Sequence, residues 1–510
     1  SIYIYMDSYS SRLNTIKKCI DDKDYDIAIS ECNKMFIHYP ERLEILDYLI
    51  GIYGTINNIE RTIEGLELLV KQLPSSNIPR ELSNSYCILY NKLAESYFVN
   101  NNKIMAVNCY KKIISVNNCV PDIYINMAVC YSDLKRYNEA IISLQICLRL
   151  KQCNQIYSIL GSTHLAIKKY NKSINYYESI KDLTSHDLYN MCFPYLASKQ
   201  YIKGYQLFEN RLAKNDICSQ TNQISRVEIP IPYWDGKEKC NHLMIVYEQG
   251  IGDNIQYFRF IIELSKRYPE MKITYFCRNV VSNLFNYELC DNITVIDDSF
   301  PIDISIYDKK LYIMSLPYIL KLQQITPNTV NYIVCDKQND DKWYNKLLPF
   351  ENKLKVGFMY SGLLASYIDK HIELDDFKSI CCDENIQTIC LHKMDDKIRD
   401  DFSKIDFTRE IFMEEIDMNQ AFMDTISILR NIDVLVTIDT SIAHLAGVMG
   451  VKTLLLIGYT SEWRWFDTDD KVWYDSVNII RMTEQKPLAH LIPRVKKLLD
   501  AEYVNKRSVE

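Results

Sequence analysis

Three short stretches of this chain bring hydroxyls, a carboxylate and glycines to places where a backbone can hold phosphate. Asp439-Thr440-Ser441 stands between an apolar, β-branched run of strand length at 434–438 and the small, apolar residues 442–449, which suit a short packed helix. Such a turn sets two hydroxyls and the open N–H groups of a helix start at the carboxyl end of a buried strand, where α/β proteins bind anions. His444 follows Ser441 by three positions and Thr440 by four, so a helix turns it toward the same side as both. The pattern predicts a nucleotide-diphosphate site. Gly250-x-Gly252-Asp253 and Ser361-Gly362 are two further loops after predicted strands, and the three together would line one cleft. Opposite a diphosphate, the carboxylate of Asp253 would be placed to take a proton from an acceptor hydroxyl; the alternative for its spacing is a cap on the following helix.

The elements that must position these loops alternate strand and helix. Residues 243–247 read as a strand, followed by the glycine loop and a helix to about Arg267 with Ile255, Phe258 and Ile262 on one face. Strands follow at 272–277 and 293–296, and Met314-Ser315-Leu316-Pro317 closes the series. A second series starts at 356–360, continues at 388–391 and leads to 434–438, and residues 487–499 read as a terminal helix. Two successive β/α series imply two Rossmann-like lobes facing across a cleft.

The first two hundred residues repeat. Aligning Tyr97, Tyr131 and His164 superimposes three segments at a spacing of about 33 to 34 residues, the period of a helical-hairpin repeat. Ala28, Ala106, Ala140, Ser173 and Gly204 recur where neighbouring helices must approach closely, and Tyr25, Tyr137, Tyr170 and Tyr201 precede four of them by three positions. With the Leu160-Gly161 pair, this resembles the tetratricopeptide (TPR) repeat, in about six units over roughly residues 10 to 213. The aromatic repeat positions read as core. A TPR array commonly binds peptide or protein on its concave face, or else serves only to stiffen, dimerise or position the second half of the chain. Periodicity fails after about Asn215, and Pro230, Pro232 and Gly236 mark a boundary.

Composition narrows the field. At 510 residues the chain is too long for one core. A net charge of -7 with a pI near 5.8 argues against nucleic acid as the main partner. The 17 cysteines are an odd number without zinc-ligand spacing, which suits reduced thiols in a cytoplasmic setting. No run reaches the roughly 20 apolar residues of a membrane span, and the opening residues lack the pattern of a secretory leader. The expectation is a soluble, intracellular protein.

YEQGIGDNIQYFRF at 247–260, SLP at 315–317, SG at 361–362, DTSIAHLAGVMG at 439–450 and EWRWF at 462–466 together resemble the heptosyltransferase-related GT-B glycosyltransferases, in particular the branch with TPR repeats in front. The resemblance implies an inverting, metal-independent transfer of a sugar from a nucleotide diphosphate to a protein or glycan acceptor, with no cofactor beyond that co-substrate. It casts Asp253 as the base and Gly250, Gly252, Ser361, Gly362, Thr440 and Ser441 as the donor cradle. Asp439 would accept from sugar hydroxyls, because a carboxylate beside phosphate repels it. His444 would donate to phosphate or orient the loop, or else be a buried histidine bonded to a carbonyl. Where relatives carry an arginine-rich stretch after the SG loop, this chain has Tyr367-Ile368-Asp369-Lys370-His371, in which Lys370 is the candidate phosphate cation, without an arginine's bidentate fork. Glu462 replaces the usual Asp before WRW. Trp463 and Trp465 would wall the site or simply fill core. The acidic run 467–470 reads as a solvated loop.

The expected architecture is α plus α/β: a TPR solenoid at 1–213, a linker at 214–240, an acceptor-side lobe at 241–350 and a donor-side lobe at 351–510. Homo-oligomers remain open to a TPR array. The competing reading is an interaction scaffold whose transferase-like half is inactive.

Overall fold

The computed structural model describes residues 2–213, 229–299, 301–334, 336–362, 372–393, 395–405, 416–417, 421–460, 462–467 and 471–509. The chain divides into two compact units, Ser1–Asp182 and Leu183–Glu510.

The first unit is a run of antiparallel hairpins: α1 (Ile2–Asp21) with α2 (Tyr25–His38), α3 (Leu43–Ile56) with α4 (Ile59–Val70), α5 (Ser83–Val99) with α6 (Lys103–Val116), α7 (Pro121–Asp133) with α8 (Tyr137–Leu150), and α9 (Asn154–Ala166) with α10 (Tyr170–Glu178). The first helix of four of these pairs stops in the same way. Lys23, Asn101, Lys135 and Lys168 adopt left-handed φ values of 58–62°. The next residue's N–H then reaches back to the carbonyl of Cys19, Tyr97, Tyr131 or His164 at 2.7–2.8 Å. This is a Schellman turn made without glycine. It reverses the chain in two or three residues and starts the second helix at Tyr25, Tyr137 or Tyr170. Ala28, Ala106, Ala140 and Ser173 have no exposed surface, and Ser173 Oγ donates to the Gly161 carbonyl at 2.7 Å, so the small positions sit at close helix crossings as expected.

The second unit opens with a sixth hairpin, α11 (Ser185–Ala197) and α12 (Tyr201–Phe208), joined by the same turn at Lys199. Two parallel sheets follow. The first holds β1 (His242–Val246), β2 (Lys272–Cys277), β3 (Ile293–Asp297) and β4 (Lys309–Tyr312) in the order β3-β2-β1-β4, with His242 opposite Lys272 and Leu243 opposite Lys309. The second holds β5 (Leu354–Met359), β6 (Ile386–Cys390), β7 (Val434–Ile438), β8 (Thr453–Ile457) and β9 (Val477–Arg481) in the order β6-β5-β7-β8-β9. Strands buried on both faces need continuous apolar runs, and β7 and β8 have them.

Several expectations change in detail. The first strand series closes at Tyr312, because Pro317 cannot donate to a ladder and instead enters a helical turn, Leu316–Ile319. The terminal helix is longer than expected, running from Ile492 to Val509. Within the stretch expected as a linker, residues 214–228 lie outside the described residues. Tyr233 bridges Lys310 in parallel on the edge of β4, and Trp234 is buried. Among the described residues no helix is long and apolar enough to cross a membrane.

Strand order places the loops. β1 lies between β2 and β4, and β5 between β6 and β7, so the chain builds outward on one side of each strand and later returns to its other side. The gaps beside β1/β4 and β5/β7 are topological switch points, where open α/β sheets bind ligands beyond the carboxyl ends. The Gly250 loop follows β1, Ser361-Gly362 follows β5, and Asp439-Thr440-Ser441 follows β7.

Candidate functional site

The Gly250 loop begins helix α13 (Ile251–Arg267), and the Gly250 N–H donates to Asp253 Oδ2 at 3.1 Å. Asn254 holds the loop from beneath, donating through Nδ2 to the carbonyls of Glu248 (2.9 Å) and Gly250 (2.7 Å) while accepting from Tyr275 OH at 2.9 Å. The helix after β7, α14 (Ser441–Met449), starts from Thr440 in extended conformation with no side-chain cap on its first turn. It ends at Gly450, whose φ of +74° only glycine adopts freely.

The two helix starts meet. A side chain on Gly252 would lie 3.0 Å from the His444 ring and 3.2 Å from Ser441 Cα, so the glycine permits the approach. Gly362 faces the Thr440 methyl, with 3.4 Å of room for a Cβ. The structure therefore brings together Gly250, Gly252, Asp253, Ser361, Gly362, Asp439, Thr440, Ser441 and His444. Lys370, with the rest of 367–371, lies outside the described residues, as do 468–470 of the acidic run.

A short turn, Trp463–Trp465, joins the two sides. Arg464 Nη2 stands 2.6 Å from Asp253 Oδ1, and Nη1 pairs with Glu462. Trp465 Nε1 donates to Asp439 Oδ1 at 2.9 Å, and its ring stacks on His444 with centroids 5.1 Å apart and planes at 19°. His444 Nδ1 pairs with Tyr474 OH at 3.1 Å. The turn is itself held by Trp473 Nε1 on the Arg464 carbonyl (2.7 Å) and Arg481 Nη2 on the Trp465 carbonyl (2.8 Å). Trp463 and Trp465 are buried, and Trp463 meets Tyr205 of α12 edge-on. Both serve as core, with Trp465 also forming a wall beside the Asp439 turn.

Electrostatics follow from this crowding. Enclosure pushes the Asp253 carboxyl above its usual range, while Arg464 pulls it back. Burial opposes the charge on Arg464, but Asp253, Glu462 and Asp439 outweigh it and hold its proton firmly. Asp253 thus acts as a helix cap and an ion-pair partner at once.

Three participants escape sequence reasoning. Arg464 is hidden in a motif dominated by tryptophans. Arg211, fully buried, grips Glu248 through Nε to Oε1 (2.9 Å) and Nη2 to Oε2 (2.8 Å), and donates to Ser315 Oγ at 2.7 Å. The Glu of YEQGIGD and the Ser of SLP therefore anchor the sixth hairpin beside β1. A charged residue at the end of an apolar strand was the available signal, since it needs a partner. His392 is the third. Its Nε2 accepts the N–H groups of Tyr360 (3.2 Å) and Ser361 (3.4 Å), which requires an uncharged ring, and burial pushes its pKa down to about 4.

A tetratricopeptide repeat model matches residues 121–152, which are α7 and α8. Among solved structures, a MamA protein is 16% identical over 41% of this chain and 96% of its own, with a TM-score of 0.27. PilF of Pseudomonas aeruginosa is 16% identical over 37% and 79%, with a TM-score of 0.27. PilW, a type IV pilus biogenesis factor, is 11% identical over 41% and 94%, with a TM-score of 0.30. No curated protein matches the chain. The chain carries a TPR-type helical region followed by parallel α/β sheets.

Proposed function

We propose that this chain is a glycosyltransferase of GT-B type that moves a sugar from a nucleotide diphosphate to a protein or glycan acceptor recruited by its helical repeats. The observation that carries the reading is the meeting of two helix starts at two switch points, with the Asp253 carboxylate on one side and Thr440-Ser441 on the other. In that reading the acceptor hydroxyl attacks the anomeric carbon while Asp253 takes its proton. The bond from the anomeric carbon to the phosphate oxygen breaks, and the nucleoside diphosphate leaves with the electron pair. The open N–H groups at the start of α14 would offset its charge.

A second reading has support of its own. Both oxygens of Asp253 are engaged, and His444 is packed between Trp465 and Tyr474. These contacts suit a TPR-type interaction scaffold whose α/β half no longer turns over. A thermal-shift screen against nucleoside diphosphates and nucleotide sugars, with and without divalent metal, separates the two. A donor at about 100 times its dissociation constant should add about 2.7 kcal/mol. Asp253→Asn should show a shift at least as large and lose sugar transfer detected by mass spectrometry. No shift across the panel, with no transfer, would leave the scaffold reading standing.

A further inference from the structure

We infer that Arg464 is an anion-binding residue held in reserve by Asp253, so that an incoming diphosphate and the Asp253 carboxylate compete for one guanidinium. This rests on the transferase reading for its purpose, though the competition itself is a property of the geometry. Arg464 is 9% exposed, and its Nε has no hydrogen-bond partner among the described residues. Its remaining nitrogens face Asp253 and Glu462, and Asp439 lies within electrostatic reach. Three carboxylates thus act on one guanidinium, and a phosphate that reaches it must compete with them for its N–H groups.

Asp253 is less exposed than Glu462, but it is the partner of Arg464 that stands beside Gly252, where the two helix starts meet. Its Oδ2 keeps the Gly250 N–H when Oδ1 gives up Arg464, whereas the neighbouring Gly252 stands against Ser441 and His444 at the start of α14. An arginine fork transferred to phosphate makes stronger, better matched bonds than a solvated lysine would. The same exchange releases Asp253. Without the guanidinium an enclosed carboxylate gains proton affinity, which is what a general base at neutral pH requires. Donor binding and base activation become one event, and the donor must bind before the acceptor can react.

The test uses inorganic pyrophosphate without metal, titrated calorimetrically into the full chain and into Asp253→Asn, Arg464→Gln and Arg464→Lys, each first shown to melt cooperatively. Removing the competitor frees the cation, so Asp253→Asn should bind pyrophosphate about tenfold more tightly than the parent. Arg464→Gln should lose at least that factor, with Arg464→Lys between. If Arg464→Gln fails to fold, Asp253→Asn and Arg464→Lys decide alone. Unchanged or weaker binding by Asp253→Asn overturns the inference, as does absence of pyrophosphate binding in parent and variants alike. The transferase reading fails separately: tighter binding by Asp253→Asn in a chain that takes no nucleotide sugar leaves the anion site standing and that reading fallen.

Discussion

His392 illustrates how much one side chain decides about a loop. The Ser361-Gly362 turn is held by a ring nitrogen that must accept two N–H groups, so the folded chain resists protonating it until about pH 4. The unfolded chain takes that proton near pH 6.5. Between these values the unfolded state binds more protons, so stability contributed by the neutral ring is complete above pH 6.5 and declines as pH falls toward 4. The limiting slope is about 1.4 kcal/mol per pH unit. Urea titrations should show a steeper loss between pH 6.5 and 4.5 for the parent than for His392→Gln, which offers an acceptor that does not titrate. Equal slopes would remove His392 from the account. Nothing in the sequence around Leu391 announces this role, because the donors belong to a different strand. Asp253 and Asp439 are legible because a loop after a strand is a local pattern. Arg464 and Arg211 are not, because their partners are set by the fold and leave no spacing to read.

Elements show the same division between local and distant causes. The hairpins of the first unit are readable from tyrosines and small residues, since a helix crossing and a turn depend on neighbours a few positions away. Val434–Ile438 and Ser441–Met449 are readable for the same reason. Gly447 is not. A Cβ there would lie 2.5 Å from the Tyr474 ring, which arrives from a different part of the chain. Gly→Ala inside a helix ordinarily stabilises by up to about 1 kcal/mol. Gly51→Ala and Gly54→Ala in α3, with nothing within 4 Å, should show that gain. Gly447→Ala should instead destabilise by about 1–3 kcal/mol through overpacking, and thermal melts of the three variants should differ in sign. A stabilised Gly447→Ala would mean that Tyr474 moves aside freely.

For the whole molecule, the decisive fact is where independence begins. Contacts divide the chain at Asp182, so the sixth hairpin belongs with the sheets. Arg211 buries its charge against Glu248 and Ser315, and Tyr205 OH meets Tyr257 OH at 3.2 Å. Losing one partner of a buried pair costs about 3–5 kcal/mol. A fragment of residues 183–510 should therefore melt cooperatively and well above a fragment of 214–510. Equal melting temperatures would show that the hairpin is dispensable to the sheets.

The parallel pairing of the strands also has a bearing on time. Each hairpin of the first unit closes on residues already adjacent, whereas the Asp308 carboxylate must find the His242 N–H across 66 positions and Asp433 must find Lys355 across 78. Loop closure over such distances is slow, and helical hairpins are among the quickest structures to form. On a ribosome the repeats would be complete while both sheets were still being searched for, and the edges of β3 and β6 would be the surfaces chaperones see longest.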